Sequence, residues 1–135
     1  MNNSWLELAY YHAERSKGIT GKNPPVGCVI INKDIIVGVG STSKNGRPHA
    51  EENALTMAGN KSNGGTLYVT LEPCHIKGNE NSCTNQIIKA GIKRVVIGML
   101  DPNKKTFKRG LKKLIKEGIE TEVASLRFEH FLFYY

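Results

Sequence analysis

The sequence predicts an α/β protein, a three-layer α/β/α sandwich around a central mixed five-stranded sheet. Three observations predict it. Strand-length runs of apolar and β-branched residues occur at 26–31, 35–39, 66–71, 93–100 and 119–123. From the second run onwards helical patterns separate them, the alternation of a layered α/β domain. The first two runs flank the turn Asn32-Lys33-Asp34, so an antiparallel hairpin joins the sheet and makes it mixed.

The first helix is expected over 4–17. Ser4 and Glu7 make a capping-box pair, and Leu6, Ala9, Tyr10 and Ala13 repeat with helical spacing. Gly18 and Gly21 end it, and Asn23-Pro24-Pro25 forms a stiff, non-helical connection. Cys28 lies among Val and Ile in the first strand, the setting of a buried structural thiol. Gly38, Gly40, Gly46 and Pro48 mark a loop that delivers His49. His49 opens a helix with Ala50, Ala54, Met57 and Ala58 in register.

In the run at 66–71, Leu67, Val69 and Leu71 share one face and Tyr68 takes the other, as in a central strand covered on both sides. Glu72-Pro73-Cys74 follows at its carboxyl end, the edge where open α/β sheets place their ligand sites. The segment 75–82 is polar and reads as a loop, and 83–90 as a helix stopped by Gly91. Asp101-Pro102-Asn103 closes the next strand. Phe107, Leu111, Leu114 and Ile115 form a helix stripe, with Lys104, Lys105, Lys108, Arg109, Lys112, Lys113 and Lys116 mostly elsewhere around it. Glu120 and Glu122 alternate in the last run, as on a charge-guarded edge strand. Phe128, Phe131, Leu132 and Tyr135 share one face of a final short helix.

A chain of 135 residues with 39% hydrophobic and 23% charged residues is long enough for one domain with its own core, assigned here to residues 1–135. The longest apolar runs are far short of a membrane span, and Met-Asn-Asn-Ser-Trp lacks a signal-peptide layout, so a cytoplasmic protein without membrane contact is expected. Three cysteines is an odd count, which in a reducing compartment favours metal binding or catalysis over a disulfide framework. The net charge of +7 suggests an anionic partner, either nucleic acid or a phosphorylated small molecule.

His49, Cys74 and Cys83 together are the ligand set of a catalytic zinc site, which takes three protein ligands and leaves the fourth position to water. Both cysteines lie near expected helix starts, where the dipole favours the thiolate. Glu51 shares the first helical turn with His49 and is free to act as the proton shuttle. Zinc lowers the pKa of bound water, and a carboxylate takes its proton and passes it to a leaving amine. This is the division of labour in zinc nucleobase deaminases, where hydroxide attacks a ring carbon bearing an amino group and ammonia departs. A closed, structural zinc site is the bland alternative. It wants a fourth ligand, and the only nearby candidate, His75, is awkward beside Cys74.

With these residues the chain resembles the cytidine deaminase superfamily, and within it the pyrimidine deaminase domain of the riboflavin-biosynthesis deaminase/reductase. The resemblance rests on Asn23-Pro24 with 26–30, Pro48-His49-Ala50-Glu51, 67–74, 90–96 and Asp101-Pro102-Asn103. The eight residues between Cys74 and Cys83 suit this group, whereas transfer-RNA adenosine deaminases and cytosine deaminases typically use two. The resemblance implies zinc-dependent hydrolytic deamination of 2,5-diamino-6-ribosylamino-4(3H)-pyrimidinone 5′-phosphate. It further implies a substrate pocket using Asn23, Asp101, Asn103 and the backbone around Ala50.

Three positions depart from the pattern. Thr42 and Ile76 stand where relatives carry histidine, and Asn79 where they carry a basic residue that helps hold the ribose phosphate. His75 and Lys77 are candidate substitutes in the same loop, and Lys104, Lys105 and Lys108 further candidates. These departures motivate a second enzyme reading, a deaminase of another aminopyrimidine or nucleobase. A nucleic-acid deaminase would interleave stacking aromatics with its basic run, but only Phe107 is there and it fits the core stripe, so no nucleic-acid partner is expected. A non-catalytic binding module is the alternative of a different class. The aromatic C-terminal face and the resemblance suggest a homodimer or higher homo-oligomer. No reductase domain is seen, so a separate reductase is expected.

Overall fold

The computed structural model describes residues 4–103 and 108–124. Its elements in chain order are α1 (Ser4–Glu14), β1 (Gly27–Asn32), β2 (Ile35–Ser41), α2 (Ala50–Ala58), β3 (Thr66–Val69), α3 (Cys83–Lys89), β4 (Arg94–Ile97), α4 (Arg109–Lys116) and β5 (Glu120–Val123). The strands form one sheet in the order β2-β1-β3-β4-β5. β1 pairs antiparallel with both β2 and β3, while β3–β4 and β4–β5 are parallel. The sheet is therefore mixed and five-stranded, as the sequence predicts. Lys33 and Asp34 both take positive φ in the β1–β2 turn, the backbone form that matches the twist of a tight hairpin.

Period-two alternation splits the core between the two faces of the sheet. Val29, Ile31, Tyr68 and Val96 meet Leu6, Ala9, Tyr10 and Ala13 of α1. Cys28, Ile30, Leu67, Val69, Val95 and Ile97 point the other way, into the layer that holds Ala50, Ala54, Ile87 and Leu114 of α2, α3 and α4. Each fully buried Leu or Ile contributes about 1.5–3 kcal/mol by leaving water. Cys28 is a fully buried free thiol in this layer.

Several local expectations change. Gly38 and Gly40 lie inside β2 rather than in a loop. A Cβ on Gly38 would sit 2.3 Å from the Ala54 carbonyl oxygen, and one on Gly40 would sit 2.3 Å from that of Ala50. Glycine in this strand marks the close approach of a helix backbone, not a chain reversal. Met57 and Ile115 are exposed, because the inward faces belong to Ala50, Glu51, Ala54 and Ala58 in α2 and to Gly110 and Leu114 in α4. α1 ends at Glu14 and continues as turns, with Ser16 N–H donating to the Ala13 carbonyl. The acidic side chains of β5 do more than guard an edge, since Arg94 on β4 pairs with both Glu120 and Glu122. Lys104, Lys105, Phe107 and the aromatic helix expected from Phe128 to Tyr135 lie outside the described residues.

The Gly40 contact is open to test. Gly40→Ala should lower stability by about 1–3 kcal/mol, since the new methyl must push α2 off the sheet. A urea midpoint equal to wild type would contradict this packing.

Candidate active site

His49 is the N-cap of α2, with extended φ and ψ of −70° and 163°. Glu52 fixes it there by accepting a hydrogen bond from the His49 N–H at 3.1 Å. Cys83 is the first residue of α3, after the N-cap Ser82. Cys74 is not at a helix start. It lies in the segment beyond β3, but the Cys83 N–H of α3 donates to its sulfur at 3.3 Å. These pieces bring three donor atoms together. His49 Nδ1 lies 3.3 Å from Cys83 Sγ and 3.9 Å from Cys74 Sγ, and all three atoms fall within 4.8 Å of one another.

The donor set fits zinc. Tetrahedral zinc, with Zn–N near 2.0–2.1 Å and Zn–S near 2.3 Å, separates N from S by about 3.6 Å and S from S by about 3.8 Å. The N···S distances of 3.3 and 3.9 Å bracket that value. Among the described residues the cluster offers three ligands and no fourth. That is the count of an open rather than a closed site. His75 lies outside this cluster of donor atoms, its Nδ1 instead 2.9 Å from the Thr84 hydroxyl.

The electrostatics suit a cation and a proton carrier. The Cys83 thiol, donating to the Cys74 sulfur, holds the Cys74 thiol well down, to about 4, with help from His49 and the Cys83 N–H against the cost of burial. As the donor of that pair, Cys83 is pushed up. His49 is raised, first by its hydrogen bond with Cys74. Glu51 is 4% exposed, and burial followed by the neighbouring Cys74 charge pushes its carboxyl up to about 7. A carboxyl titrating near neutrality is matched to passing protons in both directions.

A cavity of about 100 Å³ opens beside these groups, lined by Asn23, Pro24, Val26, Thr42, His49, Glu51, Leu71, Glu72, Cys74 and Asp101. The cavity is partly open to solvent, so a ring entering it can leave its larger substituents outside. Asn23, on the cavity wall, donates from Nδ2 to the Gly46 carbonyl at 2.9 Å, which fixes its side chain. Thr42 is committed at both ends: its hydroxyl accepts from the Val26 N–H at 2.9 Å and donates to the Pro24 carbonyl at 3.2 Å.

The family model for the cytidine and deoxycytidylate deaminase zinc-binding region matches residues 1–99. The chain belongs to this deaminase family. It is 47% identical over 123 residues to the riboflavin biosynthesis protein RibD of Aquifex aeolicus, covering 91% of this chain and 35% of that protein. It is 54% identical over 100 residues to the diaminohydroxyphosphoribosylamino-pyrimidine deaminase of Buchnera aphidicola subsp. Acyrthosiphon pisum, covering 74% of this chain and 68% of that one. Among solved structures, the diaminohydroxyphosphoribosylaminopyrimidine deaminase/5-amino-6-(5-phosphoribosylamino)uracil reductase of Thermotoga maritima matches with a TM-score of 0.85 at 38% identity, covering 94% of this chain and 37% of that one. The chain therefore spans roughly a third of the length of the Aquifex and Thermotoga proteins.

Of the residues singled out in the sequence, the deaminase fold brings Asn23, His49, Glu51, Cys74 and Asp101 to one cavity, with Cys83 buried behind it. It does not bring all of them there. Ala50 is fully buried, and its carbonyl faces Gly40. Asn103 is exposed, its N–H donating to Asp101 Oδ1 at 3.0 Å. His75 and Lys77 line a separate groove of about 700 Å³ shared with Arg109, Lys112, Lys113 and Lys116. The described walls of the ring-sized cavity hold no lysine or arginine. Sequence reasoning missed Glu52 and the Glu72 side chain. Glu52 carried a signal, an acid three residues after the N-cap. Glu72 carried none, since its partners lie far along the chain.

Alkylation separates the thiols. At pH 6 with chelator present, iodoacetamide should modify Cys74 first, its thiol being held near 4, and leave Cys28 intact, whose thiol burial pushes up. Equal labelling of Cys28 and Cys74 by peptide mass spectrometry would contradict the assigned environments.

Proposed function

We propose that this chain catalyses the hydrolytic deamination of 2,5-diamino-6-ribosylamino-4(3H)-pyrimidinone 5′-phosphate, with a zinc ion held by His49, Cys74 and Cys83. The observation that carries the reading is the convergence of His49 Nδ1 and the two sulfurs beside Glu51 on a ring-sized cavity. The name of the Buchnera relative supplies the substrate class, and that of the Aquifex relative the pathway.

When bound, zinc supplies Lewis acidity and brings the pKa of a coordinated water to about 7. The protein's own residues do the rest. Glu51 takes a proton from water and delivers it to the amino group, so that a C–O bond replaces the C–N bond and ammonia leaves. Burial raises this carboxyl above the usual carboxylate range, which favours its holding a proton between the two transfers. Asn23, fixed by its bond to Gly46, is assigned the role of contacting the ring from the cavity wall. Asp101 forms part of the opposite wall. The ribose phosphate would extend outward through the open side of the cavity.

One observation favours a second reading, deamination of a different aminopyrimidine. Thr42 spends its hydroxyl on Val26 and Pro24, and the described residues of the cavity wall include no lysine or arginine for a phosphate. Ammonia release by the zinc-loaded protein, measured with the phosphorylated intermediate and with unphosphorylated aminopyrimidines, decides between the two. Turnover of the unphosphorylated compounds alone would replace the first reading with the second. In either case Glu51→Gln should cut kcat by about 10²- to 10⁴-fold with the zinc content unchanged. Cys83→Ser should instead lose zinc as judged by elemental analysis, and a Glu51→Gln enzyme of wild-type rate would remove Glu51 from its assigned role.

A further inference from the structure

Glu72 is 6% exposed, and the two oxygens of its buried carboxylate are spent on backbone amides. Oε1 accepts from the Asp101 N–H at 3.0 Å and the Lys108 N–H at 3.2 Å, and Oε2 accepts from the Leu111 N–H at 3.0 Å. Its main-chain N–H donates to the Met99 carbonyl at 2.9 Å. The first turn of α4 needs such an acceptor. Its N-cap is Lys108, which has no acceptor in its side chain and makes no capping bond there. Glu72 thus caps α4 from outside the helix, and with the same group holds Asp101 on the cavity wall. The clamp is tight, because a Cβ on Gly110 would lie 1.9 Å from the Pro73 carbonyl oxygen, so the α4 backbone rests on the residue before Cys74.

We propose that Glu72 is a positioning residue for the deamination: by gripping the amides of Asp101 and α4, it sets the distance between the substrate-facing wall at Asp101 and the metal-ligand segment at Cys74. The inference rests on the substrate reading above and extends it to a residue outside the reacting groups. A carboxylate is required because two oxygens must accept at once. A glutamine of the same shape offers one acceptor oxygen and turns N–H groups towards N–H groups.

The test is Glu72→Gln in the zinc-loaded protein. KM for the phosphorylated pyrimidine should rise about tenfold or more, the loss of one charge-assisted hydrogen bond, while kcat stays within about threefold. Zinc content should stay at the wild-type value. In an Asp101→Ala background the same change should raise KM by less than about threefold, since both act through one wall. Equal KM increments in both backgrounds, or a lowered Tm with wild-type KM, would reduce Glu72 to a helix cap and overturn the proposal. Amide hydrogen exchange in the unmutated protein covers the case in which Glu72→Gln does not fold. Protected Asp101 and Leu111 amides support the clamp, and exchange at open-chain rates refutes it. A wild-type protein inactive on this substrate would count against the substrate reading alone, and the exchange measurement would still judge the clamp.

Discussion

The arrangement of the site depends on how closely α2 lies against β2. Gly38 and Gly40 leave no side chain between the strand and the helix, so the Ala50 and Ala54 carbonyls come to where a Cβ would otherwise be. That contact sets the position of the first turn of α2, and the first turn carries His49 as its cap and Glu51 inside it. β1 then links β2 to the central β3, whose carboxyl end runs on to Cys74. Two of the three proposed metal ligands are thereby placed by one strand pair and one helix contact. The third, Cys83, arrives on the first residue of α3, which packs into the same layer.

Charge explains why these groups are gathered where they are. A thiolate at Cys74 and a carboxyl at Glu51 sit together in a buried corner with a second thiol, and burial of each anion costs free energy unless a cation offsets it. A divalent ion on two sulfurs and a nitrogen meets that demand directly. The protein spends backbone on the same end: the Cys83 N–H reaches the Cys74 sulfur, and the Glu52 carboxylate takes up the His49 N–H. The ligands are thus oriented by their own elements before any metal contributes.

The substrate side is built on a different principle. Asn23 and Thr42 come from irregular segments and are held by backbone hydrogen bonds to Gly46, Val26 and Pro24. Asp101 is held by Glu72. The walls that read a ring are therefore loops pinned to the frame, while the reacting groups stand on helices and a strand end. The cationic groove beneath Lys77 and α4 is separate from this cavity, whose described walls hold no lysine or arginine.

The sequence by itself determined the main elements and singled out the proposed reacting groups. Alternation in the strands, the hairpin turn at Asn32-Lys33-Asp34 and the spacing of the helices dictate a mixed α/β sheet. His49, Glu51, Cys74 and Cys83 were legible because zinc and proton transfer demand those residue types, whatever the fold around them. What could not be read there was anything that depends on two distant segments meeting. Gly38 and Gly40 have the composition of a loop until α2 is laid on them. His75 and Lys77 sit next to Cys74 in the chain, but successive residues of an extended backbone point to opposite sides, and they face another groove. Glu72 meets amides 29, 36 and 39 residues further on, so its part in the site exists only once β3, the end of β4 and α4 are assembled. Residue chemistry is local and survives in the sequence; the geometry that makes a wall of Asp101 is a product of tertiary contact.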